Sequence, residues 1–196
     1  MYRLIQFIRH RIPFIWNLID QMNATLFRLK YRQLNKAIEQ NCIKHSDNIF
    51  TYSVVQKKDL EGLVAFFNSQ PSDSFEFFNP HSFDLKTLDR LLSNPSFIML
   101  LAKYDGKIVG YTFLRAFFNG KAFRGKIVDI NYRGRGIAKT FGKLTMDIST
   151  EIGLNLFGTI SKRNLSSMAS SKSVNEIRII EELPDEYILI QYLPKQ

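Results

Sequence analysis

Cysteine is almost missing from this 196-residue sequence: Cys42 stands alone, which excludes an internal disulfide framework. No cluster of histidine and cysteine has metal-ligand spacing, so no metal is expected. Long hydrophobic runs are missing too. Arg3, Arg9, Arg11 and Asp20 break the apolar stretches near the start well short of the ~18–20 residues that a membrane span needs. No small-residue cleavage site follows a clean apolar stretch, which argues against a signal peptide, and the segment is poor in serine for an organellar transit peptide. Repeats and low-complexity tracts are absent. These absences point to a reducing, cytoplasmic setting.

What is present is a globular composition. Hydrophobic residues make up 45% and Phe alone occurs 17 times, enough to fill a core. The net charge of +9 is unevenly spread. Residues 1–45 carry Arg3, Arg9, Arg11, Arg28, Lys30, Arg32, Lys36 and Lys44 against Asp20 and Glu39, a net +6. The first 45 residues therefore read as a basic extension, separate from a domain over 46–196. Within the extension Ile5, Ile8, Ile12, Ile15, Ile19, Met22, Leu26 and Leu29 recur at steps of three and four, a seam along a helix. Pro13 interrupts it, ending one short helix near Ile12 and sitting in the first turn of a second. Such a seam serves either packing, on its own domain or a second copy in a homodimer, or peripheral contact with an anionic membrane, which would place the protein at the membrane's inner face.

The remainder reads as mixed α/β. Strands are expected at 49–55, on both sides of Asp105–Gly106, at 121–130, at 154–160 and on both sides of Pro184–Asp185; helices at 58–68, 81–95, 135–150 and 164–172. The order is β-α-α-β-β-β-α-β-α-β-β.

Between the strand at 121–130 and the following helix stands Asn131-Tyr132-Arg133-Gly134-Arg135-Gly136-Ile137-Ala138. A strand that runs through glycines into a helix leaves several N–H groups unpaired at the positive end of the helix dipole, a site suited to phosphate. Gly134 and Gly136 permit close approach of a ligand, and Arg133 and Arg135 add charge. It is not a P-loop, since no Gly-Lys-Ser/Thr follows, and Lys139 occupies the third-glycine position of a dinucleotide motif. One Arg-Gly-Arg-Gly patch is far from an RGG array, so no nucleic-acid partner is expected.

Arg133-Gly134-Arg135-Gly136-Ile137-Ala138 resembles the Arg/Gln-x-x-Gly-x-Gly/Ala motif of the GNAT acyl-CoA acyltransferase superfamily, and the element order from about residue 50 resembles that fold. The resemblance implies a mixed, mostly antiparallel sheet flanked by helices, and an N-acetyltransferase with acetyl-CoA as cosubstrate and no metal. It implies that Ile127 and Val128 pair with the pantetheine arm, that Arg133 to Ala138 cradle the pyrophosphate, and that Asn164, heading Asn-Leu-Ser-Ser, contacts the arm. Direct attack by an amine on the thioester needs a base, donors for the oxyanion and an acid for the thiolate. The Val128 N–H is the candidate oxyanion donor. Ser171 stands where the superfamily often has a tyrosine, and no strand-borne glutamate occurs near Ala122–Arg124; Asp129 is more readily structural than a base. The stretch SFEFFNPHSFD, 74–84, borders the acceptor site in the resembled fold: Phe77 and Phe78 would wall it, and His81 would bind the acceptor or serve as base, unless it merely starts the next helix. The expected acceptor is a small amine, such as an amino sugar on a nucleotide or lipid carrier. Protein amines, or acyl-CoA binding without catalysis, are the alternatives.

Overall fold

The computed structural model describes residues 13–195; the short helix expected up to Ile12 lies outside them. Two helices come first, α1 (Pro13–Lys30) and α2 (Leu34–His45). The Asp47 carboxylate then accepts the Ile49 and Phe50 N–H groups and turns the chain into β1 (Thr51–Val54). Helices α3 (Leu60–Asn68) and α4 (Leu85–Leu92) follow; Asp84 caps α4 by accepting Thr87 N–H at 2.9 Å. Next come β2 (Phe97–Tyr104), β3 (Lys107–Ala116), β4 (Lys121–Val128), α5 (Ile137–Glu151), β5 (Asn155–Ser161), α6 (Leu165–Val174), β6 (Asn175–Leu183) and β7 (Tyr187–Pro194). The hairpin read from Asp105–Gly106 is in place, with φ of 47° and 75° at the two turn residues.

The strands form one seven-stranded sheet in the order β1-β2-β3-β4-β5-β7-β6. All neighbours are antiparallel except β4 and β5, which pair in parallel only from Lys121–Phe123 to Asn155–Phe157 and then part. That divergence makes the functional cleft. One face of the sheet is covered by α1, α2 and α5 through Phe27, Ile38, Ile137, Phe141 and Leu144. The other is covered by α3 and α4 through Leu60, Leu63, Phe67 and Leu88.

The N-terminal helices differ from the expectation. Phe27, Tyr31, Leu34, Ile38 and Cys42 are buried in the same core as Leu144 and Ile148 of α5, so no packing boundary falls at residue 46. Polar contacts follow the same path: Asn41 donates to Glu151 at 2.7 Å, and Lys44 and His45 both reach Asp147. Moreover, the seam is turned outward. Leu18, Ile19, Met22, Leu26 and Leu29 are exposed, while Asn23, Phe27 and Tyr31 face the domain. Asn23 is buried because its amide donates to Ser96 Oγ and the Ala116 carbonyl and accepts from Phe118 N–H. Cys42, in this core, has its thiol pushed up to about 11 by burial, which leaves it unreactive.

Candidate functional site

Strand β4 ends at Val128, and Asp129 begins a tight turn by accepting Asn131 N–H at 2.9 Å. Gln70 also donates to Asp129, which is buried, so this carboxylate holds the turn. The chain then passes Gly134 (φ 78°) and Gly136 (φ 89°), both left-handed, into α5. Among the described residues, the N–H groups from Gly134 to Ala138 meet no acceptor within the protein; pairing resumes with Lys139 and Thr140, which donate to the Gly136 carbonyl. A Cβ built on Gly134 or Gly136 would meet nothing within 4 Å, so the concave side of the loop is open. The result is a backbone cradle of about five donors at a helix N-terminus, matched to an anion such as pyrophosphate. Arg133 is held at its edge, donating to Ser74 Oγ at 2.9 Å, and Arg135 lies 4.9 Å from the ring centre of Tyr132.

From the cradle a cleft of about 820 Å³ runs between the parting strands. Asp129 N–H bonds Val109 of β3, and N–H directions alternate along a strand, so the Val128 N–H points the opposite way, into the cleft. The side chains alternate as well. Ile127 faces the α3–α4 layer, and Val128 the α5 layer. Gly125 leaves bare backbone against the α3–α4 layer; a Cβ there would lie 2.5 Å from the Phe113 ring and 3.2 Å from Phe78. Phe77 and Phe78 line the cleft with Ile127, Val128, the cradle and Asn164. Asn164 caps α6 by accepting Ser167 N–H at 3.0 Å, which fixes its position on the cleft wall.

Two candidates stand elsewhere. His81 is not on the cleft wall but sits in an aromatic nest of Phe67, Phe83, Phe97, Tyr111 and Phe113. Its Nδ1 is 2.9 Å from the Ser82 carbonyl and must carry the proton there; Nε2, 3.1 Å from the Tyr111 hydroxyl, then accepts. Burial holds the imidazole below its ordinary pKa, in the neutral form that this arrangement requires. The basic lone pair is thus occupied. Burial also keeps the Tyr111 hydroxyl protonated, as a donor must be. Ser171, seven residues after Asn164, is fully buried with its hydroxyl unpaired, turned away from the cleft. Its neighbour Ser170 faces the cleft instead.

Two residues on β4 escaped the reading of the sequence. Arg124 and Lys126 project toward α5 and α6, where their heads lie among cleft-lining residues. The Arg124 guanidinium donates to Gly142 O, Thr145 Oγ1 and Asn175 Oδ1 and stacks 3.5 Å over Tyr192. Lys126 donates to Ala138 O at 2.9 Å and Ser170 Oγ at 3.1 Å. The available signal was the period-two placement of Arg124 and Lys126 inside the strand, beyond the exposed Lys121 at its start.

The cradle and the parting strands fit coenzyme A: unpaired N–H groups for its pyrophosphate, and a strand edge with free backbone groups for its amide-bearing arm. The sequence profile of the acetyltransferase (GNAT) family matches residues 63–169, more than half of the chain. A search of curated protein sequences gives no significant match. Among solved structures the chain is similar to the GNAT domain of S. lividans PAT, with TM-score 0.65 and 14% identity over 74% of this chain and 90% of that one. It is also similar to YncA of Salmonella typhimurium, solved with its cofactor acetyl-CoA (TM-score 0.58, 15% identity, 76% of this chain and 94% of that one). The aminoglycoside acetyltransferase AAC(6')-Ib, in complex with coenzyme A and kanamycin, matches with TM-score 0.58 and 14% identity over 74% and 95%. With the profile match spanning the cradle and both strands that part behind it, the chain belongs to the GNAT acetyltransferase family.

Proposed function

We propose that this acetyltransferase moves an acetyl group from coenzyme A to the amine of a small acceptor, an amino sugar borne on a nucleotide or lipid carrier. The observation that carries this reading is the cleft: it leads from a phosphate cradle, past the inward Val128 N–H, to a wall made by Phe77 and Phe78. Aromatic faces suit a sugar ring. Arg133, Lys139 and Arg163 on the cleft wall suit an acceptor that carries phosphate as well as the cosubstrate's own phosphates. Gly134 to Ala138 hold the pyrophosphate by their N–H groups, Ile127 and Val128 line the arm, and the Val128 N–H polarises the thioester carbonyl. His81 acts from behind the wall, fixing Tyr111 and the surrounding phenylalanines.

The test is release of free thiol from acetyl-CoA over a panel of free amino sugars, nucleotide-linked amino sugars and peptide amines. Turnover is expected to be greatest with a phosphate-linked amino sugar. Turnover on peptides alone would replace this acceptor with protein amines. Tight acetyl-CoA binding without release on any amine would make the chain a binding module.

The outward face of α1 supports a second element. Leu18, Ile19, Met22, Leu26 and Leu29 form an exposed apolar stripe; Met22 is 56% and Leu29 54% exposed. Arg28 on the same helix and Arg32 and Lys36 just after it are exposed, Lys30 reaches back to the Phe118 carbonyl, and the adjoining acid, Asp20, is paired with Arg115. No described helix is long and apolar enough to cross a membrane. We propose that this stripe rests on an anionic lipid surface, where each basic residue adds roughly 1 kcal/mol. The protein is expected to sediment with anionic vesicles at low salt and to leave them at high salt. Indifference to vesicles together with a salt-resistant dimer would assign the stripe to a second copy instead.

A further inference from the structure

Acyl transfer from a thioester leaves a thiolate that needs a proton. Around the cleft the groups able to give one are few. Its lining includes one carboxylate, Asp73, near Ser74 and Arg133, with Tyr132, Tyr192, Lys139, Arg163, Arg124 and Lys126 as the other titratable groups. The position seven after Asn164 supplies only a serine hydroxyl turned into the core.

Lys126 differs from the rest in its surroundings. Its ammonium lies between the first turn of α5 and the cleft face of α6, touching Ala138 O and Ser170 Oγ. An ammonium has three N–H donors, and these contacts use two. Neither Lys126 nor Arg124 beside it forms an ion pair with any carboxylate among the described residues. The charge that acts on the amine is Arg124 on its own strand; Tyr192 on β7, Lys139 on α5 and Arg133 in the cradle loop line the same cleft, and the α6 residues that line it, Leu165, Ala169 and four serines, carry no charge. Two cations without a carboxylate in one cleft are costly to a fold unless an anion arrives there or the amine gives up its proton. Burial, with the Arg124 charge second, brings the Lys126 amine down to about 7, where it exchanges a proton readily at neutral pH.

We propose that Lys126 is the proton donor for the departing thiolate. The proposal rests on the acyl-CoA reading of the cleft. The acceptor nitrogen forms the new bond to the acyl carbon as the carbon–sulfur bond breaks, and the electron pair leaves with sulfur. Lys126 Nζ gives its proton to that sulfur and becomes neutral. The proton shed by the acceptor nitrogen returns to Lys126 through cleft water, so the products are the amide and the free thiol, with the enzyme unchanged. Ser170 and the Ala138 carbonyl orient the amine, and Arg124 keeps its proton labile.

The experiment titrates the thiol of bound coenzyme A through the ultraviolet absorbance of the thiolate, with no acceptor present, in the wild type, Lys126→Met and Lys126→Arg. An ammonium within reach of the sulfur lowers the thiol pKa by roughly one to three pH units. Lys126→Arg, which stays charged, is therefore expected to show a depressed thiol pKa, Lys126→Met a value near that of free coenzyme A, and the wild type, whose amine gives up its proton near 7, a titration spread between the two. Once an acceptor is in hand, both variants should lose about 10²-fold or more in kcat with a KM for acetyl-CoA within a few-fold of wild type, since arginine keeps the charge but holds its proton. Wild-type kcat should also fall as pH rises through the Lys126 pKa, a limb absent from both variants. Lys126→Met removes a buried charge and is expected to fold; Lys126→Arg serves as a second reading of the same question. Equal thiol pKa values in Lys126→Arg and Lys126→Met, with coenzyme A still bound, would overturn the proposal and leave the acyl-CoA reading standing. Failure of the wild type to bind coenzyme A at all would overturn both.

Discussion

A chain that starts at Ser46 is expected not to reach a stable folded state. It would lack Phe27, Tyr31, Leu34, Ile38 and Cys42, all buried against α5 and the sheet. Full burial of a large apolar side chain is worth about 1.5–3 kcal/mol, so the five together contribute roughly 8–15 kcal/mol as an upper bound. That is comparable to the whole stability of a typical domain, about 5–15 kcal/mol. The truncation would also bare Leu144 and Ile148 of α5 and strip Asp147 and Glu151 of their partners from α2. A milder probe of the same interface is Phe27→Ala, expected to cost roughly 3–5 kcal/mol because Phe27 is wholly buried. Denaturant unfolding followed by circular dichroism reads both. A truncated protein that unfolds cooperatively at nearly the full-length midpoint would show that α1 and α2 are dispensable cover.

The reason the sequence pointed elsewhere is physical. Regular apolar spacing identifies a helix, and α1 does begin at Pro13, but spacing alone does not say which face meets protein. The Asn23–Phe27–Tyr31 face wins because Asn23 finds three partners on chain segments more than 70 residues away. Such partners are invisible to a local pattern. Where the signal is local, the reading matches the fold: Asp105–Gly106 must adopt positive φ and makes the β2–β3 turn, and the two loop glycines do the same before α5. His81 shows the opposite case. Its neighbours in sequence are aromatic, which suits a pocket wall and a core equally, and only the Tyr111 hydroxyl, 30 residues away, settles which it joins. Ser171 failed by one residue. Helical positions turn by about 100° per residue, so Ser170 faces the cleft while Ser171 faces the core. Lys126 gives no local signal, since a lysine inside a strand looks the same in sequence whether its face is solvated or covered. Here α5 and α6 cover that face.

Gly136→Glu is expected to abolish coenzyme A binding while the protein stays folded. Gly136 caps α5 at φ 89°, and a side chain placed there would point into open space rather than into the core. Any L-residue at that φ pays a conformational cost, roughly 1–2 kcal/mol, and Gly136→Ala pays the same one. The pair of variants therefore separates backbone strain from what the side chain does in the cradle. Glutamate adds a carboxylate beside the N–H groups of Gly134 to Ala138, which meet no acceptor of their own among the described residues. It can accept from those groups itself, and it repels whatever anion would take them. Two unit charges about 4 Å apart near a protein surface interact by about 4 kcal/mol, which is about a thousandfold in affinity. Calorimetric titration with coenzyme A should thus give a modest loss for Gly136→Ala and no measurable binding for Gly136→Glu, with similar thermal midpoints for the two. Wild-type affinity in Gly136→Glu would mean that the loop from Gly134 to Ala138 holds no phosphate, and that the open side of this turn exists only to bring β4 into α5.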